Sequence, residues 1–215
     1  MKGLLFNQYY SVFTSLRNYL LLSVAITVIL LFSQNEMAQG FAQMLTVIFM
    51  SVPALEVLKH ESESGWNKFV LTLPIKRSHV VQSHYIFFAL GMFSGFIVTI
   101  ALFFLLDLVV GGIFISQNVL GIMNGAGIAL LLGIVAYPLT YQLGAEKSDT
   151  VIMLGVMVAV GLFLLSNWLY IEFIEEAFQG LNHELVFTAG FCVTTLVLYT
   201  VSFGITLRVY KRKEF

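Results

Sequence analysis

The chain has 215 residues, 59% of them apolar and only 11% charged. So little polar surface cannot cover a soluble core, which excludes a soluble globular protein and implies an integral membrane one. The formal net charge of −1 says nothing as a sum; its distribution along the chain is the informative part.

Residues 1–18 place Leu5, Tyr9, Val12, Phe13 and Leu16 on one helical face and Asn7, Ser11, Thr14, Ser15 and Asn18 on the opposite one. This pattern predicts an amphipathic helix along the inner membrane interface, apolar side in lipid. It would serve as an anchor or as a contact for a cytoplasmic partner. It lacks the compact apolar core followed by small residues of a cleaved signal peptide, so the N-terminus is expected to be retained.

Six long apolar stretches follow, at residues 19–32, 41–58, 80–106, 119–143, 151–170 and 185–207. Most reach the ~20 residues a helix needs to cross a hydrocarbon core. The first is short and should borrow a turn from a flank. The third runs on into residues 108–115, which leaves its outer boundary open. Pro53 and Pro138 should kink their helices, each freeing a backbone carbonyl. Gly91 and Gly95, Gly121 and Gly125, and Gly155 and Gly161 permit close helix contact, whether for packing or around a pore. The fold class is therefore all-α integral membrane, with six transmembrane helices and an N-terminal interfacial helix.

All eleven Lys and Arg fall in segments on one side of such a bundle. Lys2 and Arg17 precede the first span, Lys59, Lys68, Lys76 and Arg77 lie between the second and third, Lys147 between the fourth and fifth, and Arg208, Lys211, Arg212 and Lys213 after the sixth. The alternate segments, 33–40, 107–118 and 171–184, carry only acids among their Asp, Glu, Lys and Arg residues. By the positive-inside rule both termini are cytoplasmic. The chain thus divides into an amphipathic interfacial helix at 1–18 and a six-helix transmembrane domain at 19–215, with a cytoplasmic loop at 59–78 and an outer helical segment at 168–185.

The cytoplasmic loop reads HESESG, then WNKFVLTLP, then IKRS. Trp66, Phe69, Val70 and Leu73 recur at i, i+3, i+4 and i+7, one apolar stripe on a short helix that Pro74 stops. Ser78 is placed to cap the next helix. An exposed stripe headed by a Trp and flanked by Glu61, Glu63, Lys68, Lys76 and Arg77 suits a protein groove; the alternative is a stripe resting on the lipid surface. In the outer segment, Ile171, Ile174 and Phe178 oppose Glu172, Glu175, Glu176 and Gln179, as in a short amphipathic helix.

Chemistry-bearing motifs are missing. There is no GxxxxGK[ST] phosphate loop, no GxSxG elbow and no intramembrane carboxylate pair. Ionisable groups within the spans sit at their ends, at Glu56 and Asp107, whereas ion-coupled carriers place one at mid-membrane. The lone Cys192 cannot form an intrachain disulfide and reads as a buried apolar thiol. His60, His79, His84 and His183 lack metal-ligand spacing, and His79 and His84 are expected to be solvated at the inner interface. No catalytic residue and no metal site are expected, and the energy for any transport would come from outside the chain.

The N-terminal KGLLFNQYYS, the second-span exit ESESGWNKFVLTLPIKRSHVVQSHY and the YPLTYQLGAEKSDT connection, taken with the six-span pattern, resemble a type-2 ABC exporter permease. The resemblance is to the small six-span branch that accompanies a separately encoded ATPase, and its most specific element is LPIKRS after the Trp-bearing turn. It implies a coupling helix within 61–73 that docks on the ATPase through Glu61, Glu63, Trp66, Phe69, Val70 and Leu73. A smaller contact is implied around Lys147, although Ser148 and Asp149 stand where many relatives carry a further basic residue. It also implies a pair of ATPase subunits holding ATP and magnesium, no cofactor on this chain, a second permease half, the same or different, and a bacterial plasma membrane. Trp168, Ile171, Ile174 and Phe178 fall where relatives restrict the exit.

Spans rich in Phe, Leu, Ile, Val and Met favour a hydrophobic or amphipathic cargo over a sugar or inorganic ion. Small members of the resembled branch are linked with export of peptides such as bacteriocins and phenol-soluble modulins. Efflux of lipids or small hydrophobic drugs is the alternative, followed by an ion-coupled carrier or channel subunit and by a purely structural membrane partner. The docking loop separates these, since a channel or carrier needs no cytoplasmic anchor.

Overall fold

Inside hydrocarbon each backbone N–H and C=O must be bonded within its own segment, so the apolar stretches have little choice but helix. The computed structural model describes residues 1–33, 35–110, 116–178 and 181–212. Its helices are α1 (Lys2–Ser11), α2 (Phe13–Leu31), α3 (Glu36–Glu63), α4 (Trp66–Phe69), α5 (Arg77–Val110), α6 (Ser116–Leu143), α7 (Ser148–Phe173) and α8 (His183–Arg212). Short 3-10 turns stand at Val70–Thr72, Ala145–Lys147 and Glu175–Phe178. Six of the helices, α2, α3 and α5 to α8, are long and apolar enough to cross a membrane, as the sequence predicts. Large side chains such as Met157 and Leu164 on α7 and Val193 and Val197 on α8 face outward, as lipid-facing surface does.

The first span borrows its missing turn from the N-terminal side and begins at Phe13. The backbone breaks at Val12, with φ −118° and ψ 16°, so α1 stops at Ser11 instead of continuing to Asn18. Its buried face is also displaced from the predicted one. Leu4, Gln8 and Val12 are buried while Tyr9 and Phe13 are exposed. Gln8 decides this, because its Nε2 donates to Ser83 Oγ on α5 at 2.9 Å, a polar anchor that an apolar count overlooks. Residues 111–115, over which the third span's boundary was open, and Gln179 lie outside the described residues.

α3 and α6 form the centre. Their most apolar stretches are 50% and 61% buried, against 11–22% for the other four spans. Glycine lets the neighbours approach α3 on two sides. A Cβ at Gly91 of α5 would stand 2.9 Å from the Met50 carbonyl oxygen, and one at Gly125 of α6 would stand 2.7 Å from Met44 Cα. Gly95 is equally tight against Met50 and Val47, whereas Gly161 faces open space. These glycines, Gly161 apart, are packing devices.

Pro138 leaves the carbonyl of Ile134 in α6 without its helical donor. Ser202 of α8 supplies one, donating from Oγ at 3.0 Å. Each hydroxyl has one proton, so the neighbouring contacts acquire a direction: Thr206 donates to Tyr85 at 2.7 Å and Tyr85 to Ser202 at 2.9 Å. A hydroxyl chain at Pro138 thereby links α5, α6 and α8. Tyr85 and Tyr137 stack beside it at 4.6 Å between ring centroids.

Candidate functional site

The bundle has a basic end, where the Lys and Arg of the described residues gather, and an acidic end; Lys213 lies outside the described residues. At the basic end α3 runs to Glu63, and Gly65, at φ +73°, turns the chain into α4 through a left-handed conformation that favours glycine. The following turn is 3-10, with three residues per turn instead of 3.6, so i, i+3, i+4 and i+7 no longer share a face. The expected single stripe therefore divides. Phe69 is 53% exposed beside the exposed Lys68. Val70 is 1% exposed, and Trp66 and Leu73 pack partly buried against the core. Trp66 still touches Phe69, ring centroids 5.5 Å apart, and so backs the outward residue. Ser78 falls in the first turn of α5, which starts at Arg77, and does not precede it as a cap.

Two further expectations are corrected here. Glu61, expected to flank the exposed stripe, is 5% exposed, and His84, expected to be solvated, is 1% exposed. His84 Nε2 lies 3.1 Å from Glu61 Oε2, and its Nδ1 lies 2.8 Å from the Tyr141 hydroxyl. An ionised carboxylate only accepts, so Nε2–H donates to Glu61 and leaves Nδ1 to accept from Tyr141. Tyr137 adds a bond from its hydroxyl to the His84 carbonyl at 3.0 Å. The network joins α3, α5 and α6 at the end of the bundle that carries the 66–73 turn. A sequence signal for it existed, since His84 shares a helical face with Val80, Val81 and Phe88, all buried.

Of the remaining docking candidates, Glu63 and Lys147 are exposed, and Glu63 Oε2 lies 3.8 Å from His60 Nδ1. Asp149 has a partner within the chain: its Oδ2 is 2.6 Å from Lys59 Nζ, tying the second basic-end connection to the end of α3. A cleft of about 380 Å³ lies between the two loops, bordered by Ser62, Asn67, Tyr141, Gly144 and Glu146 among others.

At the acidic end the segment expected to be a separate amphipathic helix is continuous with α7 up to Phe173, and the chain breaks at Ile174 before its 3-10 turn. Trp168, Ile171, Ile174 and Phe178 are all exposed. Trp168 rests edge-on against Phe173, 6.3 Å between centroids. Ile171 alone of the four borders a cavity of about 670 Å³ walled by α3, α6, α7 and α8. Asn124, Tyr170 and Thr188 also line it, and the sequence pattern had not singled them out. They sit in helices whose apolar neighbours dominate any count.

Among the described residues no group of three or more His, Cys, Asp or Glu is placed to hold a metal ion. Cys192 is partly buried, its thiol 3.5 Å from the Met123 carbonyl. No curated protein and no solved structure matches the chain. A family model described as "ABC-2 family transporter protein" matches residues 3–211. Permeases of that family lack ATPase activity themselves and work with an ATPase subunit. With nearly its whole length matched and six helices able to span a membrane, the chain belongs to the ABC-2 family as its multi-pass membrane permease component.

Proposed function

We propose that this permease is one half of an ATP-driven exporter that moves hydrophobic or amphipathic peptides outward across a bacterial plasma membrane. A second half, identical or different, would complete the route, and a pair of ATPase subunits would bind ATP and magnesium. The observation that carries the reading is the outward-facing Lys68 and Phe69 on a turn whose Trp66, Val70 and Leu73 are packed against the core, at the end to which the sequence confines its Lys and Arg. The positive-inside rule places that end in the cytoplasm, where an ATPase would meet it. Phe69, Lys68, Glu63 and Lys147 would then touch the partner; Trp66, Val70 and Leu73 would stiffen the turn; and Glu61 would brace it from within. Trp168, Ile171, Ile174 and Phe178 remain the candidates for restricting the exit.

An apolar crevice of about 720 Å³ between the α1–α2 elbow and α5, bordered by Leu5, Phe13, Leu20, Phe87 and Leu90, fits a cargo with alkyl or aromatic bulk. The same crevice supports the second reading, efflux of lipids or small hydrophobic drugs.

The test is reconstitution with the ATPase. Lys68→Glu combined with Phe69→Ala should weaken docking by on the order of 2 kcal/mol while membrane insertion is unchanged. Wild-type affinity in the double variant would remove the docking assignment. Amphipathic peptides should stimulate ATP hydrolysis by the assembled complex; stimulation by drugs and not by peptides would keep the permease and favour the second reading. Uptake driven by an ion gradient through this chain alone would reject ATP-driven export altogether.

A further inference from the structure

We infer that the acidic-end cavity is a binding site for a protonated amine carried on an apolar body. Buried polar groups in a folded protein normally find partners, and those that do not call for an occupant. Tyr170 is 8% exposed and its hydroxyl has no hydrogen-bond partner; Thr188 is 1% exposed and its Oγ1 has none either. Asn124 Oδ1 and His183 Nδ1 are likewise unpartnered. All four residues border the one cavity of about 670 Å³.

The character of the donors and acceptors selects the ligand. Asn124 Oδ1 can only accept, and the two hydroxyls can each accept as well as donate. Glu175 and Glu184 border the same space, no Lys or Arg among the described residues does, and the sequence confines Lys and Arg to the segments of the opposite end. Glu175 Oε1 is 3.9 Å from His183 Nδ1. With the imidazole neutral the site carries two negative charges, and with it protonated still one, so the local field favours a cation in either state. Phe163 and Phe187, rings 5.9 Å apart, add an aromatic wall, and Tyr170 lies 5.4 Å from Phe187. Such faces attract an ammonium group and also take up the apolar part of its carrier. An ammonium has three donors and no acceptor, which matches a site rich in acceptors. A naked metal ion is a poor match, because the described residues offer no group of three ligands.

Under the export reading the occupant is the N-terminal ammonium of a peptide cargo, and that identification, though not the site itself, rests on that reading. Calorimetric titration of the full-length permease in detergent with phenethylammonium, 2-phenylethanol and phenylacetate tests the site. The ammonium should bind at least about tenfold more tightly than the alcohol, and phenylacetate should bind most weakly, since a site built for hydrogen bonds to a charged group rejects analogues lacking it. Glu175→Gln with Glu184→Gln should remove most of that preference and leave the alcohol's affinity unchanged. Tyr170→Phe, which keeps the ring and the packing, should weaken the ammonium about threefold. Equal affinity for ammonium and alcohol would show a hydrated vestibule only and overturn the proposal, as would an unaltered preference in the double variant. The cargo is tested separately in the complex with the ATPase. An amphipathic peptide with a free N-terminus should stimulate hydrolysis more than its N-acetylated form. If neither peptide acts while phenethylammonium still binds, the site stands and the peptide reading falls.

Discussion

The two ends of the bundle treat buried polarity in opposite ways. At the basic end the polar groups behind the proposed docking turn are closed on one another: Glu61 on His84, His84 on Tyr141, Tyr137 on the His84 carbonyl. Unpartnered buried atoms exist there too, at Gln8, Asn67 and Ser148, but they are spread over separate elements. At the acidic end four such atoms converge on a single cavity. A closed network resists deformation and suits a surface that must pass on a push; an open set of unpaired groups suits a place where something else completes the pairing.

The comparison can be broken most sharply by orientation, where the expected effect is all or none. In a Cys192→Ala background, Leu181→Cys at the acidic end should react with an impermeant thiol reagent added outside intact cells, and Glu63→Cys should not. The reverse pattern would place the closed network outside and end its association with an ATPase.

Stability comes next. Removing the hydrogen-bond donor to a buried carboxylate leaves that group unsatisfied and costs about 3 kcal/mol or more. His84→Ala should therefore lower the thermal midpoint of the purified permease in detergent substantially. If it melts as the parent does, Glu61 is not buried as a charge and the basic end is not the closed region described.

The smallest effects discriminate between the two kinds of hydroxyl. Ser202→Ala strips the Ile134 carbonyl and Tyr85 of a partner and should cost about 1–3 kcal/mol. Thr188→Val removes a hydroxyl with no partner and should leave stability nearly unchanged while reducing ammonium binding. Similar losses from both would mean that Thr188 has a structural role and that the cavity is not an open site.

Much of this was legible in the sequence and some was not, for reasons specific to particular residues. The spans follow from length and apolarity alone, because hydrocarbon permits little besides helix. The basic and acidic ends follow from counting Lys and Arg. The division of the Trp66 to Leu73 stripe was not legible, because a switch from α to 3-10 winding after Phe69 is a matter of tertiary fit, not of propensity. Gln8 and His84 were misplaced for a shared reason: a polar residue on a buried face finds hydrogen-bond partners far along the chain, Ser83 for Gln8 and Glu61 and Tyr141 for His84, and periodicity shows the face but not such partners. The orphaned groups at Asn124, Tyr170 and Thr188 required coordinates, since an absence of bonding is a property of surroundings.

The glycine contacts along α3 carry a mechanical consequence. The helix has 28 residues, about 42 Å at 1.5 Å each, and is gripped close to its backbone by the glycines of α5 and α6 at Met44, Val47 and Met50, toward its middle. One extremity bears Glu61 beneath the proposed docking turn, whereas the Gln43 and Met44 that border the cavity lie beside and within the grip itself. A rod held near its midpoint has a fulcrum. Tilting it by about 10° would swing the Glu61 end by about 4 Å and leave Gln43 and Met44 nearly in place, so a displacement imposed at the basic end would turn the helix about the cavity wall instead of carrying that wall away.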